Sequence, residues 1–184
     1  MLEARNLYYI GLLPHFKLRK EVKVLKEELM VHFNTKSALK SPAHITLQKP
    51  FKFSKIKEHF LIETLKHFAE QQNQFNINLN GFGCFSRRVI FIDVTNHKPV
   101  LSIHAELKKL LFHELEFKEN EISSKIYPHI TIATRDLSKE NFDKAWPLFE
   151  FRKFKASFLV NSLFLLKHNG KFWDIYKEFQ FKNK

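Results

Sequence analysis

Two triplets of the same form, His44-Ile45-Thr46 and His129-Ile130-Thr131, stand 85 residues apart in a chain of 184 residues. On a β-strand, residues two apart share a face, so each triplet presents a histidine and a threonine together while the isoleucine between them turns inward. Leu47 and Ile132 continue the inward side. In-line cleavage of a phosphodiester needs a base for the attacking oxygen on one side of phosphorus and an acid for the leaving oxygen on the other. Histidine suits both roles, because its ordinary pKa leaves both protonation states accessible near neutrality. A threonine hydroxyl can donate to a non-bridging phosphate oxygen, where charge builds in the transition state.

The repetition is the informative part. With ten histidines and six threonines in the chain, roughly 0.3 such triplets are expected by chance, the false-positive count a short motif has to beat. Two occur, each just after a proline, Pro42 and Pro128, and each flanked by aliphatic residues. One strand of this kind would be read as a half-buried histidine beside a solvated threonine. Two in matching contexts point to one shared phosphate site.

The segments Pro42-Ala43-His44-Ile45-Thr46-Leu47 and Pro128-His129-Ile130-Thr131-Ile132-Ala133 resemble the paired motifs of the 2H phosphoesterase superfamily, the group that includes the so-called 2'-5' RNA ligases. The resemblance covers most of the chain in element order, with specificity confined to the two motifs. It implies two related lobes around a cleft, with action on 2',3'-cyclic phosphates or related cyclic and 2'-5' linkages. It implies further that His44 and His129 are the acid/base pair and that Thr46 and Thr131 bind the phosphate. In well-known members an arginine directly follows the small residue of the second motif. Here Thr134 intervenes, so Arg135 either reaches the phosphate or points to the other face of the strand.

Other candidates each have a plain structural alternative. Lys49 is a possible clamp on the substrate or a surface lysine, and Tyr127 either stacks on a base or packs at a strand entrance. Phe51, with Phe82 and Phe85, could offer a nucleobase platform, although 21 phenylalanines make core packing the default. Arg87-Arg88 could touch an RNA backbone or be a solvated turn. The other eight histidines show no metal-ligand spacing, so no metal or cofactor is expected. The four glycines make no phosphate-cradling loop, which disfavours nucleoside-triphosphate hydrolysis and ATP-dependent ligation. The lone Cys84 excludes an internal disulfide and reads as a packed side chain.

The elements that must position these residues follow from hydrophobic spacing. Leu7 to Leu13 is an apolar run of strand length ended by Pro14. Leu18, Val22, Leu25, Leu29 and Phe33 recur at helical spacing. A short strand from His44 to Leu47 is expected to close at Pro50, followed by a helix along Ile56 to Phe68. Phe75, Ile77 and Leu79 alternate with asparagines, and Gly81-Phe82-Gly83 is expected to break that strand before Val89 to Val94 pairs back as a hairpin. A helix near Ile103 to Leu111, the second motif strand, a helix along Phe142 to Phe149 and two or three final strands complete the chain. Phe91-Ile92-Asp93-Val94 and Phe172-Trp173-Asp174-Ile175 fall at similar distances after the two histidines, which suggests one β-rich unit used twice, with the first strand of the second copy unrecognised. The expectation is an α+β fold in which two pseudo-symmetric lobes place antiparallel sheets around a central cleft with helices on the outer faces. Residues 1–184 are expected to form a single bilobal domain.

Net charge is +12, which attracts polyanions, although a lysine- and asparagine-rich composition can arise without selection for binding. No apolar stretch reaches membrane-spanning length, and Met1 to Arg5 lacks the regions of a signal peptide, so a cytoplasmic monomer without a membrane partner is expected. The expected activity is metal-independent opening of 2',3'-cyclic phosphates on RNA ends or nucleotides, with 2'-5' joining as its reverse. The competing readings are the same chemistry on a small cyclic phosphate, such as an ADP-ribose derivative or a cyclic oligonucleotide, and a basic RNA-binding module without chemistry.

Overall fold

The computed structural model describes residues 4–182, so Met1, Leu2 and Glu3, part of the segment read as lacking a signal peptide, lie outside the described residues. In chain order the elements are β1 (Arg5–Leu12), α1 (Phe16–Phe33), β2 (Ile45–Ser54), α2 (Glu58–Glu70), β3 (Phe75–Phe85), β4 (Val89–Val94), α3 (His97–His113), β5 (His129–Ala133), α4 (Lys139–Glu150), β6 (Lys155–Val160), β7 (Ser162–His168) and β8 (Trp173–Gln180). Short 3-10 turns, Ser37–Lys40 and Glu119–Glu121, precede the two motif strands. No helix among the described residues is long and apolar enough to cross a membrane.

The strands form two antiparallel four-stranded sheets, ordered β2-β1-β7-β8 and β5-β4-β3-β6. Each motif strand, β2 or β5, is an edge strand, and these two edges lie against each other. The repeated unit is therefore β1-α1-β2-α2 matched by β4-α3-β5-α4. The first strand missing from the second copy in the sequence is β4, which the sequence alone assigns to the first copy's hairpin. The likeness of Phe91–Val94 to Phe172–Ile175 is not a structural equivalence: β4 adjoins its motif strand, whereas β8 is the far edge of the other sheet. The shared Phe-x-Asp-aliphatic pattern does not record sheet position: β4 is almost wholly buried, whereas β8 is mostly exposed.

Two expected strand breaks are absorbed as irregularities. β2 runs through Pro50, with a register shift opposite β1 between Tyr8↔Phe51 and Ile10↔Gln48. An edge strand with a bulge tolerates a residue that cannot donate to the ladder. β3 runs through Gly81-Phe82-Gly83 with a shift between Leu79 and Phe82, where Gly81 takes a positive φ of 69°.

The main apolar core is continuous across both sheets, drawing Ile10, Ile45 and Leu163 from the first and Ile77, Ile92 and Ile130 from the second, with Val22, Leu65 and Leu107 from the helices. β1 is buried on both faces. Tyr8, Ile10 and Leu12 enter this core, while Tyr9 and Leu13 join Phe164, Leu166 and Trp173 in a smaller cluster on the opposite face.

One polar knot fastens α2 to the first sheet. Glu58, in the first turn of α2, accepts from Tyr8, from Tyr176 Oη at 2.8 Å, from Lys167 Nζ at 2.8 Å and from Asn6 Nδ2 at 3.2 Å. Burial alone would raise its pKa, but the bonds from Lys167, Tyr8 and Tyr176 outweigh it and hold the carboxyl at about 2. A depressed carboxylate pKa adds stability that is full above the unfolded value and lost as pH falls through the folded one. Glu58→Gln is expected to cost about 3 kcal/mol at pH 7. It should also erase the part of the wild-type stability loss that falls between pH 4.5 and 2. Urea midpoints of both proteins at pH 7 and pH 3 check this, since the gap must shrink at pH 3.

Candidate active site

The first motif begins one residue before its strand. His44 precedes β2, and its Nδ1 lies 2.8 Å from the carbonyl of Pro42 and 3.3 Å from Ser41 Oγ, which is bonded in turn to the Tyr9 hydroxyl. The Tyr9 ring packs 4.7 Å from the imidazole and 4.7 Å from Trp173. A Cβ on Gly11 would sit 2.8 Å from the Ile45 carbonyl and 3.7 Å from the His44 ring, so only glycine on β1 lets the β2 backbone approach this closely.

The second motif repeats the arrangement. His129 opens β5, and its Nδ1 lies 2.6 Å from the carbonyl of Tyr127, again two residues back. Its ring packs 4.9 Å from Phe91 and 5.2 Å from Phe85. Gly83 on β3 leaves room for Phe91, whose ring atoms a Cβ there would meet at 2.5 Å. In both motifs the proton on Nδ1 is given to a backbone carbonyl, which fixes the tautomer and leaves Nε2 as the working nitrogen.

His44, Thr46, Thr131 and Arg135 line one cavity of about 280 Å³, joined by Lys26, Ser41, Tyr9, His168 and Trp173. His129 stands two residues before Thr131 on the same half-exposed side of β5 and is close enough for its charge to disfavour protonation of His44. Burial lowers the His44 pKa to about 4, reinforced by Lys26 and His129 and opposed by the Pro42 carbonyl. Burial also lowers His129, but there the Tyr127 carbonyl and the Asp93 carboxylate both pull the other way. The two histidines therefore differ: one is held neutral beside a lysine, the other is supported by a carboxylate.

Of the secondary candidates, only Arg135 borders the cavity. It occupies a left-handed backbone position, φ 59°, in a tight turn closed by the Asp136 N–H on the Thr134 carbonyl at 2.7 Å. Asp136 then accepts from Thr35 Oγ1 at 2.7 Å and from the backbone N–H groups of Lys36 and Ser37, each at 3.0 Å. The loop leaving the second motif is thus tied to the loop leading into the first.

The other three lie outside the cavity lining. Phe51 is 6% exposed and packs on Tyr8 and Phe117, so it cannot stack on a substrate. Lys49 reaches away to the Asn120 carbonyl, with its backbone N–H on Ser123 Oγ. Tyr127 is exposed but lies outside the cavity lining, its hydroxyl on Asp93 and its ring against His97. Phe82 packs on Phe149, and Arg87 is paired with Asp143.

Lys26 is the residue that sequence reasoning passed over. It is 3% exposed, donates to the carbonyls of Ala38 at 2.9 Å and Ser41 at 3.0 Å, and lines the cavity. Burial lowers its pKa to about 8. The available signal is its place four residues after Val22 on the buried stripe of α1, where a lysine is out of character.

A larger cavity of about 760 Å³ lies beside α3, lined by His104, Lys108 and Phe112 among others. His104 there is committed to the Ser123 carbonyl at 3.0 Å, and His113 and Glu119 also line the space. Among the described residues no three His, Cys, Asp or Glu side chains are grouped to hold a metal ion.

The chain is similar to known proteins along most of its length. The family described as the 2'-5' RNA ligase superfamily matches residues 14–172. A protein of Oceanobacillus iheyensis that carries the name of phosphoesterase is 23% identical over 175 residues, spanning 94% of this chain and 96% of that one. Among solved structures, LigT of E. coli in its apo form superposes with a TM-score of 0.71 at 16% identity, covering 98% of this chain and 99% of that one. The same protein complexed with 3'-AMP gives 0.69 at 15% identity, covering 98% and 100%. TT0787 of Thermus thermophilus gives 0.63 at 16%, covering 98% and 100%. At these identities the superpositions establish a shared fold.

Proposed function

Given that the chain belongs to the 2'-5' RNA ligase superfamily, we propose that it is a metal-independent phosphodiesterase that opens 2',3'-cyclic phosphates of RNA ends or nucleotides. The observation that carries this reading is the matched tautomer lock: two histidines each give Nδ1–H to the carbonyl two residues back, with His44, Thr46 and Thr131 lining one cavity and His129 on the same side of its strand as Thr131. The E. coli relative has been solved with 3'-AMP and with phosphate, ligands of the same chemical kind.

The environments of the histidines support a division of roles between them. His44, neutral at pH 7 with a pKa of about 4, takes the proton of the attacking water as its oxygen bonds to phosphorus. His129, whose proton is favoured by the Tyr127 carbonyl and Asp93, gives its proton to the ribose oxygen as the other phosphorus–oxygen bond breaks. An incoming phosphate raises the pKa of both rings and so supplies the protonated His129 that the leaving oxygen needs. Thr46 and Thr131 donate to the non-bridging oxygens, while Lys26 and Arg135 add positive charge at the wall. The product is a phosphate monoester. Re-joining 2' and 5' ends would retrace these steps and is uphill in water.

The test is turnover of 2',3'-cyclic mononucleotides, cyclic-phosphate-ended RNA and ADP-ribose cyclic phosphate, side by side in EDTA. Cleavage of the first two is expected. Inactivity on all three would sink the reading and leave the fold as an RNA-binding module.

A further inference from the structure

The geometry points to a strand-binding groove that leads into the cleft, making the substrate an oligonucleotide ended by the cyclic phosphate. This rests on the phosphodiesterase reading above and narrows it to phosphates at the end of a chain. A groove of about 460 Å³ adjoins the motif cavity and shares with it a wall made by Lys26, Lys40, Ser41 and Trp173. One flank is α1, presenting Arg19, Lys20 and Lys23; the other is the end of the β7–β8 hairpin, presenting Phe172 and Trp173.

No acidic residue lines this groove. Lys23 shares its charge with Glu27 at 3.3 Å, and Lys20 sits 4.5 Å above the exposed Phe16 ring. Arg19 and Lys40 have no carboxylate within ion-pair distance among the described residues. A helix rises about 1.5 Å per residue, so the charges from Arg19 to Lys26 form a lane about 10 Å long. At about 3.4 Å per stacked nucleotide, that lane matches roughly three phosphates. Phe172, 41% exposed, stands across the groove as a flat surface for a base. A row of cations facing aromatic rings fits single-stranded nucleic acid, where backbone charge and base faces are read together. A small cyclic phosphate would fill the cavity and leave this lane without a task.

The experiment compares a 2',3'-cyclic mononucleotide with a tetranucleotide ended by the same group, using wild type, the surface variant R19E/K20E/K23E, and Phe172→Ala on the opposite flank. In wild type at 50 mM salt, kcat/KM for the tetranucleotide is expected to exceed that for the mononucleotide at least ten-fold. With three phosphates engaged, a slope near −2 gives about a twenty-fold loss between 50 and 200 mM salt. The triple variant should bring the tetranucleotide-to-mononucleotide ratio close to one, and Phe172→Ala should cut it roughly five- to ten-fold.

Equal rates in wild type, or an advantage that survives the triple variant, overturn the groove and leave the phosphodiesterase reading standing. If neither substrate is cleaved, that reading fails, and the groove is judged by fluorescence anisotropy of a labelled tetranucleotide ending in a 3'-monophosphate. Salt-sensitive binding lost in the triple variant supports it. Unchanged binding in the variant, no binding, or binding of phosphatidylserine vesicles in place of the tetranucleotide removes it.

Discussion

His44→Ala is expected to lower kcat on a cyclic nucleotide by about 10² to 10⁴, the range for loss of a general base or acid, with the fold retained. His129→Ala should fall in the same range, and the double variant should be little worse than either single one, because the two act in one step. The roles separate with the leaving group. A diester whose leaving oxygen is a weak base, such as a nitrophenolate, departs without a proton, so His129→Ala should recover much of its activity on it and His44→Ala should not. The pH profile gives a second check. In the free protein the acid limb of kcat/KM belongs to His44, at about 4, and the alkaline limb to His129, below the ordinary histidine value of 6.5. Activity on kcat/KM should therefore peak on the acid side of 6.5 and fall as rising pH strips His129, whereas kcat, measured with the anion bound, should peak higher. Recovery in the His44 variant instead of the His129 variant would reverse the assignment.

Lys26→Met is expected to separate activity from stability. A cation within about 6 Å of a phosphate contributes about 3 kcal/mol at an effective dielectric constant of 20, so kcat/KM should fall roughly a hundred-fold. Stability should move the other way. The Lys26 pKa of about 8, against an ordinary 10.5, means that the buried ammonium costs about 3 kcal/mol at pH 7. The sign follows from linkage: between those two values the unfolded chain holds more protons than the folded one, so wild-type stability climbs as pH rises through the interval. The methionine variant should be no less stable than wild type at pH 7 and should lack that alkaline climb. The limb assigned to His44 should also move up, since Lys26 is one of the charges that depress it. Calorimetric melts at pH 7 and pH 10 together with kinetics decide the matter. A variant that unfolds early while keeping its activity would mark Lys26 as a structural tether for Ala38 and Ser41.

How far the sequence carried this picture depended on what each residue shows along the chain. His44, Thr46, His129 and Thr131 were legible because a strand of period two writes its working face into a three-letter pattern, and because that pattern occurs twice. The helices were legible where a buried stripe ran long, as from Leu18 to Phe33, whereas α3 begins at His97, in a polar first turn that gave no periodicity. Lys26 and Trp173 were hard to read as cavity residues since each comes from a separate segment, and only the fold brings α1 and the β7–β8 hairpin to the cavity of the first motif. Phe51 misled for the same reason: beside a motif on a strand it reads as a neighbour of the substrate, yet the bulge at Pro50 and the packing of Phe117 turn it into the core. The halves were mis-divided because Phe91–Val94 and Phe172–Ile175 share a Phe-x-Asp-aliphatic pattern that says nothing of which sheet, and which place in it, each strand takes.

That division has a consequence for how the chain is made. The sheet carrying the second histidine is built from β3 to β6, a nearly contiguous stretch, whereas β1 waits between β2 and β7, and β7 begins only at Ser162. Once Val160 has been made, the sheet beneath His129 has all four of its strands, whereas the sheet beneath His44 still lacks β7 and β8. The N-terminal strand pair, with Tyr9 and Leu13 still uncovered on one side, must stay unaggregated until the last hairpin emerges, because long-range strand pairing is slow to close. The edge that carries the first motif is thus backed fully only once the last hairpin is made, whereas the strands beside the second motif are already complete.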